Sequence, residues 1–77
     1  MSSKSAKWLK RFEVLGGIVY ILTNENKIFR YNSETDNLRE LTEAGEDNKK
    51  IAPYYQNLFV IKTDGTVWRY NEGLLKR

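Results

Sequence analysis

The sequence predicts an all-β chain made of two copies of a four-stranded antiparallel meander. The main observation is an internal repeat, in which residues 19–32 align without a gap on residues 58–71. Three aligned positions are identical and most of the others are similar; the identities are Arg30/Arg69, Tyr31/Tyr70 and Asn32/Asn71. Each copy also contains apolar runs of strand length between turn residues, and a period of about 40 residues is typical of repeat architectures.

The first strand of each copy is predicted with the help of the repeat. Trp8, Phe12 and Leu15 have helical spacing, whereas Trp8, Lys10, Phe12 and Val14 alternate as in a strand. The aligned segment of the second copy contains Pro53, which a regular helix does not accommodate. We therefore expect strands in both copies. Proline also indicates a strand without ladder bonds on one side, such as an edge or innermost strand.

The remaining elements follow in chain order. We expect strands at Val19–Leu22 and Lys27–Tyr31, with their counterparts at Leu58–Lys62 and Thr66–Tyr70. The predicted turns are Gly16-Gly17 with its counterpart Gln56-Asn57, Asn24–Asn26, and Asp64-Gly65, the last as a two-residue type I′ turn. The fourth strands are predicted at Leu38–Leu41 and Leu74–Arg77, with Leu74 aligned on Leu38 after the loss of three loop residues.

The predicted organisation is a flexible tail at residues 1–6, followed by one domain at residues 7–77. The two copies occupy about residues 7–44 and 45–77. A chain of 77 residues has a marginal core, and with no cysteine a disulfide cannot reinforce it. Oligomerisation is the remaining way to stabilise so small a scaffold.

Composition disfavours several classes of protein. The chain has no histidine and no cysteine, so we expect no enzyme activity, no metal site and no cofactor. The loop pairs Glu34/Asp36 and Glu46/Asp47 are better explained as solvated charges than as catalytic carboxylates. A net charge of +3 is only mildly basic, which makes nucleic acid a less favoured partner. With no signal peptide and no apolar run of membrane-spanning length, we expect a cytoplasmic protein without a membrane partner.

The stretch Phe59–Tyr70 consists of an apolar run, an Asp-Gly turn, a small residue, an apolar residue and an aromatic one. It resembles blade repeats of β-propellers of the tectonin, chromosome-condensation-regulator and kelch types, and the resemblance covers both copies. Closed propellers have about 4 to 8 blades. The resemblance therefore implies head-to-tail association of two-blade chains, as in small oligomeric propeller lectins. We expect a homo-oligomer, with a trimer of six blades favoured; the alternative is a small β-barrel or sandwich that retains an old duplication.

The repeated arginines are the first candidate ligand-binding residues. Each lies between two aromatic residues, as Phe29-Arg30-Tyr31 and Trp68-Arg69-Tyr70. Arginine presents a planar fork to phosphate or carboxylate, and tyrosine or tryptophan can stack on a sugar or a base. The alternative is structural, with each arginine paired to a carboxylate across the blade interface or extended to the edge of the sheet.

Tyr54 and Tyr55 are further candidates, because the innermost strand and its turn could place them at a groove between blades. They could equally be core aromatics. Trp8 could pack between blades or act as a surface anchor. The predicted function is a non-catalytic binding module with repeated inter-blade sites for a glycan or an anionic, nucleotide-like ligand. The alternatives are a protein- or nucleic-acid-interaction or inhibitor module, and a structural or engineered propeller scaffold with no ligand.

Overall fold

The computed structural model describes residues 9–71 and 74–76, and for Leu9 the backbone alone. Within these residues the strands are β1 (Leu9–Leu15), β2 (Ile18–Thr23), β3 (Ile28–Asn32), β4 (Asn37–Glu40), β5 (Asn48–Tyr54), β6 (Asn57–Lys62), β7 (Val67–Asn71) and β8 (Leu74–Lys76). They form two antiparallel sheets in the orders β1-β2-β3-β4 and β5-β6-β7-β8. The predicted all-β class and the two four-stranded meanders are confirmed. The predicted tail and Trp8 lie outside the described residues.

The two sheets share one register through their first three strands. Phe12 lies opposite Ile21 in the first sheet, and Ile51 lies opposite Val60 in the second. The pairing also shifts at the same place in both sheets, immediately after the first residue of β1 and of β5. Such a bulge locally increases strand twist. The alignment of the two copies is therefore confirmed by their backbone pairing over these strands.

The fourth strands align differently from the sequence prediction. Leu75 lies opposite Tyr70, as Leu38 lies opposite Tyr31, so Leu75 rather than Leu74 is the counterpart of Leu38. The loop before β8 is accordingly two residues shorter than its counterpart, and not three. An error of one residue moves each side chain to the opposite face of a strand, because the side chains alternate.

The turn between β6 and β7 is not the predicted two-residue type I′ turn. The Lys62 N–H donates to the Thr66 carbonyl at 2.8 Å, and the Gly65 N–H donates to the Lys62 carbonyl at 3.0 Å. Gly65 has φ +88°, whereas Asp64 does not have a positive φ. The loop is therefore Thr63–Gly65, of the common three-residue kind with a bulge at glycine.

The other turns confirm one prediction and correct another. Asn26 ends the β2–β3 turn with φ +65°, as expected of an asparagine that tolerates this conformation. The predicted counterpart of Gly16-Gly17, Gln56-Asn57, is wrong by one residue. Tyr54 pairs with Asn57, so the turn residues are Tyr55 and Gln56.

The hydrophobic core lies between the two sheets. The inner face of the first sheet carries Ile18, Tyr20, Leu22, Ile28, Arg30 and Arg39. The inner face of the second sheet carries Ile51, Leu58, Val60, Lys62, Trp68, Tyr70 and Leu75. Side chains alternate along each strand, so the intervening residues form two outer faces. Several large apolar side chains on these outer faces remain exposed, among them Phe12, Val14, Leu38, Val67 and Leu74.

A linker joins the sheets and packs into this core. Its residues Leu41 and Ala44 are buried, the latter in the short 3₁₀ helix Thr42–Ala44. The buried Asn48 donates through Nδ2 to the carbonyl oxygens of Asn26, at 2.9 Å, and Gly45, at 3.1 Å. One amide group thereby fastens the linker to a turn of the first sheet.

Lys62 holds the linker from the second sheet. Its buried Nζ donates to the Ala44 carbonyl and to the Asp47 carboxylate, the latter at 2.7 Å. The Trp68 ring lies beside it, with 5.9 Å between Nζ and the ring centroid. These contacts satisfy a charge that would otherwise be costly to bury.

Candidate ligand-binding groove

An open groove of about 570 Å³ lies between the two sheets. The first sheet contributes side chains from β2, β3 and β4, and the second contributes the β5–β6 turn and β7. The lining residues are Ile18, Tyr20, Arg30, Arg39, Tyr55, Gln56 and Tyr70. Among the predicted ligand-binding residues, the structure therefore brings together Arg30, Tyr55 and Tyr70.

Two arginine residues are cross-strand neighbours on the wall formed by the first sheet. Arg30 lies opposite Tyr20 on one neighbouring strand and opposite Arg39 on the other. Arg39 has a carboxylate partner, Glu43, at 3.8 Å. Arg30 makes no ion pair with any residue that the structure describes. The groove thus contains an uncompensated cation in a half-buried position, which favours an anion.

The second sheet contributes a buried hydroxyl to this region. Tyr70 is only 5% exposed, and its hydroxyl has no hydrogen-bond partner among the described residues. Buried polar atoms are nearly always paired in folded proteins. This hydroxyl has less than 1 Å² of exposed surface, so it lies beneath the groove, and other atoms of Tyr70 form the lining.

Tyr55 stands at the mouth of the groove in an unusual conformation. It is 75% exposed and has φ +55°, where its counterpart in the first sheet is Gly16 with φ +64°. Positive φ is uncommon for bulky residues and costs about 1 to 2 kcal/mol. The neighbouring Tyr54 meets the Tyr55 ring edge to face, with centroids 4.6 Å apart, but does not line the groove. A turn that accepts glycine therefore carries a large exposed aromatic side chain.

Three other predicted residues lie away from the groove. Tyr31 is on the outer face of the first sheet, where its hydroxyl donates to Asp36 at 2.7 Å and this contact raises the pKa of Tyr31. Trp68 donates through Nε1 to the Thr66 hydroxyl at 2.7 Å and does not line the groove. Arg69 lies on the outer face of the second sheet.

A shallower concavity of about 410 Å³ surrounds Arg69. Its lining residues are Asn57, Arg69, Asn71, Leu74 and Lys76. Arg69, like Arg30, makes no ion pair with any of the described residues. The alternative that both arginines pair with carboxylates is therefore not what the described part of the chain shows.

The sequence did not identify Tyr20, Arg39 or Gln56 as groove residues, and it did not identify the contacts by which Lys62 holds the linker. Tyr20 and Arg39 are the cross-strand neighbours of Arg30, and pairing outward from the Asn24–Asn26 turn would have identified Tyr20. Lys62 had a signal as well, because it is a lysine at the end of an apolar run where the first copy has Thr23. Gln56 had none, since it faces the groove only through the packing of the two sheets.

Among the described residues, no three acidic, histidine or cysteine side chains are grouped as a metal site would require. No helix in the described ranges has the length and hydropathy to cross a bilayer. Comparison with protein families, curated proteins and solved structures gave no match to this chain. The groove must therefore be interpreted from its own chemistry.

Proposed function

We propose that the protein is a non-catalytic binding module whose inter-sheet groove holds a small anionic ligand of the nucleotide class. The observation that carries this proposal is Arg30, a half-buried guanidinium with no carboxylate partner in the described residues, directly beside Arg39. Arginine binds phosphate through two parallel hydrogen bonds, which suits a group held on a flat sheet surface.

The aromatic side chains around the arginines define the rest of the ligand. Tyr55 is 75% exposed and offers a ring face to a planar group, while the buried Tyr20 and Tyr70 also line the groove. A phosphate attached to a base or similar ring would use both the arginines and this aromatic surface. A neutral glycan would leave the Arg30 charge uncompensated, and Trp68, on which a sugar site was expected, does not line the groove.

We also propose that the two sheets are blades of a propeller, completed by further copies of the chain in a ring of three chains and six blades. The supporting observation is the set of exposed apolar side chains on both outer faces. Blades of a propeller pack face to face, and exposed patches of this kind mark interaction surfaces.

Isothermal titration with adenosine monophosphate at low and high salt tests the ligand proposal. We expect saturable binding that weakens with salt, because screening reduces charge–charge attraction. Arg30→Ala removes a charge-assisted contact of about 1.5 to 3 kcal/mol, so affinity should fall about 10- to 150-fold. Lys49→Ala, which removes an exposed cation from β5, serves as the matched control and should bind like the wild type. Salt-independent binding of a neutral monosaccharide, unaffected by Arg30→Ala, would replace this proposal with a glycan site.

A further inference from the structure

The outer face of the second sheet repeats the pattern of the inner face of the first. Three residues of the first sheet are buried where it meets the second, namely Tyr20, Leu22 and Ile28. Their counterparts by strand register are Phe59, Ile61 and Val67, all apolar and all on the outer face of the second sheet. This outer face thus has the side chains of an interface, and within the described part of the chain no sheet covers it.

The converse relation holds for the other pair of faces. The second sheet buries Ile51, Leu58, Val60 and Tyr70 against the first. Their counterparts on the outer face of the first sheet are Phe12, Val19, Ile21 and Tyr31, which are again apolar or aromatic. The described residues therefore leave two faces open, and these correspond to the two halves of the interface between the sheets.

We propose that the outer face of the second sheet docks on the outer face of the first sheet of another copy, in the arrangement that joins the two sheets within one chain. The charges are complementary as well. The outer face of the second sheet carries Arg69 and Lys76, and the opposing face carries Glu40 with Asp36 at its edge. Contact between unlike faces is head-to-tail, so each added copy again presents one open face of each kind.

This docking completes a second ligand site between chains, an inference that rests on the proposed function of the groove. By register, Asn57, Arg69 and Lys76 are the counterparts of Ile18, Arg30 and Arg39. The concavity around Arg69 therefore corresponds to the first-sheet wall of the groove, without the opposing wall that the second sheet provides there.

The missing wall comes from the partner in the docked arrangement. The positions of Tyr70, Tyr55 and Gln56 are taken by Tyr31, Gly16 and Gly17 of the partner subunit. The composite site keeps an arginine, a second cation and one tyrosine, and it takes the same anionic class of ligand. It lacks the ring of Tyr55, and Asp36, hydrogen-bonded to Tyr31, adds a carboxylate beside it, so its affinity is lower than that of the groove within one chain.

Light scattering after gel filtration tests the docking with two variants. Phe12→Asp and Val67→Asp each place a charge on one outer face, at side chains that are 55% and 56% exposed, so neither disturbs the core of its own chain. We expect the wild type to have the mass of several chains and each variant that of one chain. Thr63→Asp, in an exposed turn, adds the same charge away from both faces and should assemble like the wild type.

Mixing the two variants gives the decisive result. Phe12→Asp retains an intact face on its second sheet, and Val67→Asp retains one on its first sheet, so the mixture should contain a dimer and nothing larger. A mixture that stays at the mass of one chain overturns the head-to-tail docking. A wild type of single-chain mass at every concentration also overturns it.

Titration with adenosine monophosphate separates the composite site from the groove. The assembled wild type should bind two ligands per chain, Arg30→Ala should lose the tighter site, and Arg69→Ala should lose the weaker one. One ligand per chain, lost with Arg30→Ala and unaffected by Arg69→Ala, would remove the composite site and leave the proposed function intact. Absence of any binding to an assembled wild type would reject the proposed function while leaving the docking in place.

Discussion

Replacing Tyr55 by glycine separates ligand binding from fold stability at this position. Glycine relieves a positive φ that costs a tyrosine about 1 to 2 kcal/mol. Against this, glycine gives the unfolded chain extra freedom worth about 0.5 to 1 kcal/mol, and the edge contact with Tyr54 worth about 0.5 to 1.5 kcal/mol is lost. These opposing terms nearly cancel, so we expect the free energy of unfolding to stay within about 1 kcal/mol of the wild type.

The effect of the same substitution on the ligand is expected to be much larger. An aromatic ring stacked on a base contributes about 1 to 3 kcal/mol. Tyr55→Gly should therefore weaken binding of adenosine monophosphate about 5- to 150-fold. Urea denaturation of the free protein measures the first quantity, and isothermal titration measures the second.

Two further variants show which property of Tyr55 matters. Tyr55→Phe retains the ring and should bind nearly as well as the wild type. Tyr54→Ala removes the edge contact from a residue that does not line the groove, and should also bind normally. The reasoning fails if Tyr55→Gly lowers the free energy of unfolding by more than about 2 kcal/mol, because Tyr55 would then be structural. Unchanged ligand affinity in Tyr55→Gly would refute it equally.

Three other outcomes follow from the linker and from one tyrosine. Leu41→Ala should cost about 2 to 5 kcal/mol in urea denaturation, because Leu41 is fully buried; a loss below 1 kcal/mol would contradict its packing. Lys62→Met keeps an apolar stem but leaves the Ala44 carbonyl without its charged donor, and should cost about 1.5 to 3 kcal/mol in the same assay. The hydrogen bond to Asp36 raises the pKa of Tyr31 from its ordinary value near 10.0, so the stability it contributes is present below that pH and is lost as pH rises through the raised pKa. Ultraviolet titration of the phenolates should show Tyr31 ionising at lower pH in Asp36→Asn, and an unchanged titration would contradict this assignment.

The sequence predicts the strand pairing well because pairing depends on short-range alternation of apolar residues. It predicts the turns less well. Asp64-Gly65 provides a positive φ at glycine in either a two-residue or a three-residue loop, and only the hydrogen bond from the Lys62 N–H to Thr66 distinguishes them. The one-residue error in aligning Leu74 with Leu38 has a related cause, since a short strand such as β8 has too few residues for its register to be predicted from sequence alone.

A ligand site between the two sheets is predicted from the sequence, but only some of the residues that line the groove are, namely Arg30, Tyr55 and Tyr70. The repeat singled out Arg30 and Arg69 together, yet the structure places them in different surroundings. The second sheet covers the face that carries Arg30, and no described residue of the chain forms a layer over the face that carries Arg69. Alignment of two copies identifies equivalent positions, whereas burial depends on what packs against each copy. That information is tertiary, and for Arg69 it involves a second chain in our proposal.

The contacts of Lys62 with Ala44 and Asp47 bear on how two copies of similar sequence form the correct strand pairs during folding. Strands with the same pattern could pair in the wrong order, for example β1 with β6, and copies of the chain could exchange hairpins. At the position of Lys62 the first copy has Thr23, which is shorter and carries no charge to pair with Asp47. A mispaired arrangement would leave the Lys62 ammonium group buried without Ala44 and Asp47. The difference between Lys62 and Thr23 therefore gives the correct strand order an energetic advantage over arrangements in which strands of the two copies are exchanged.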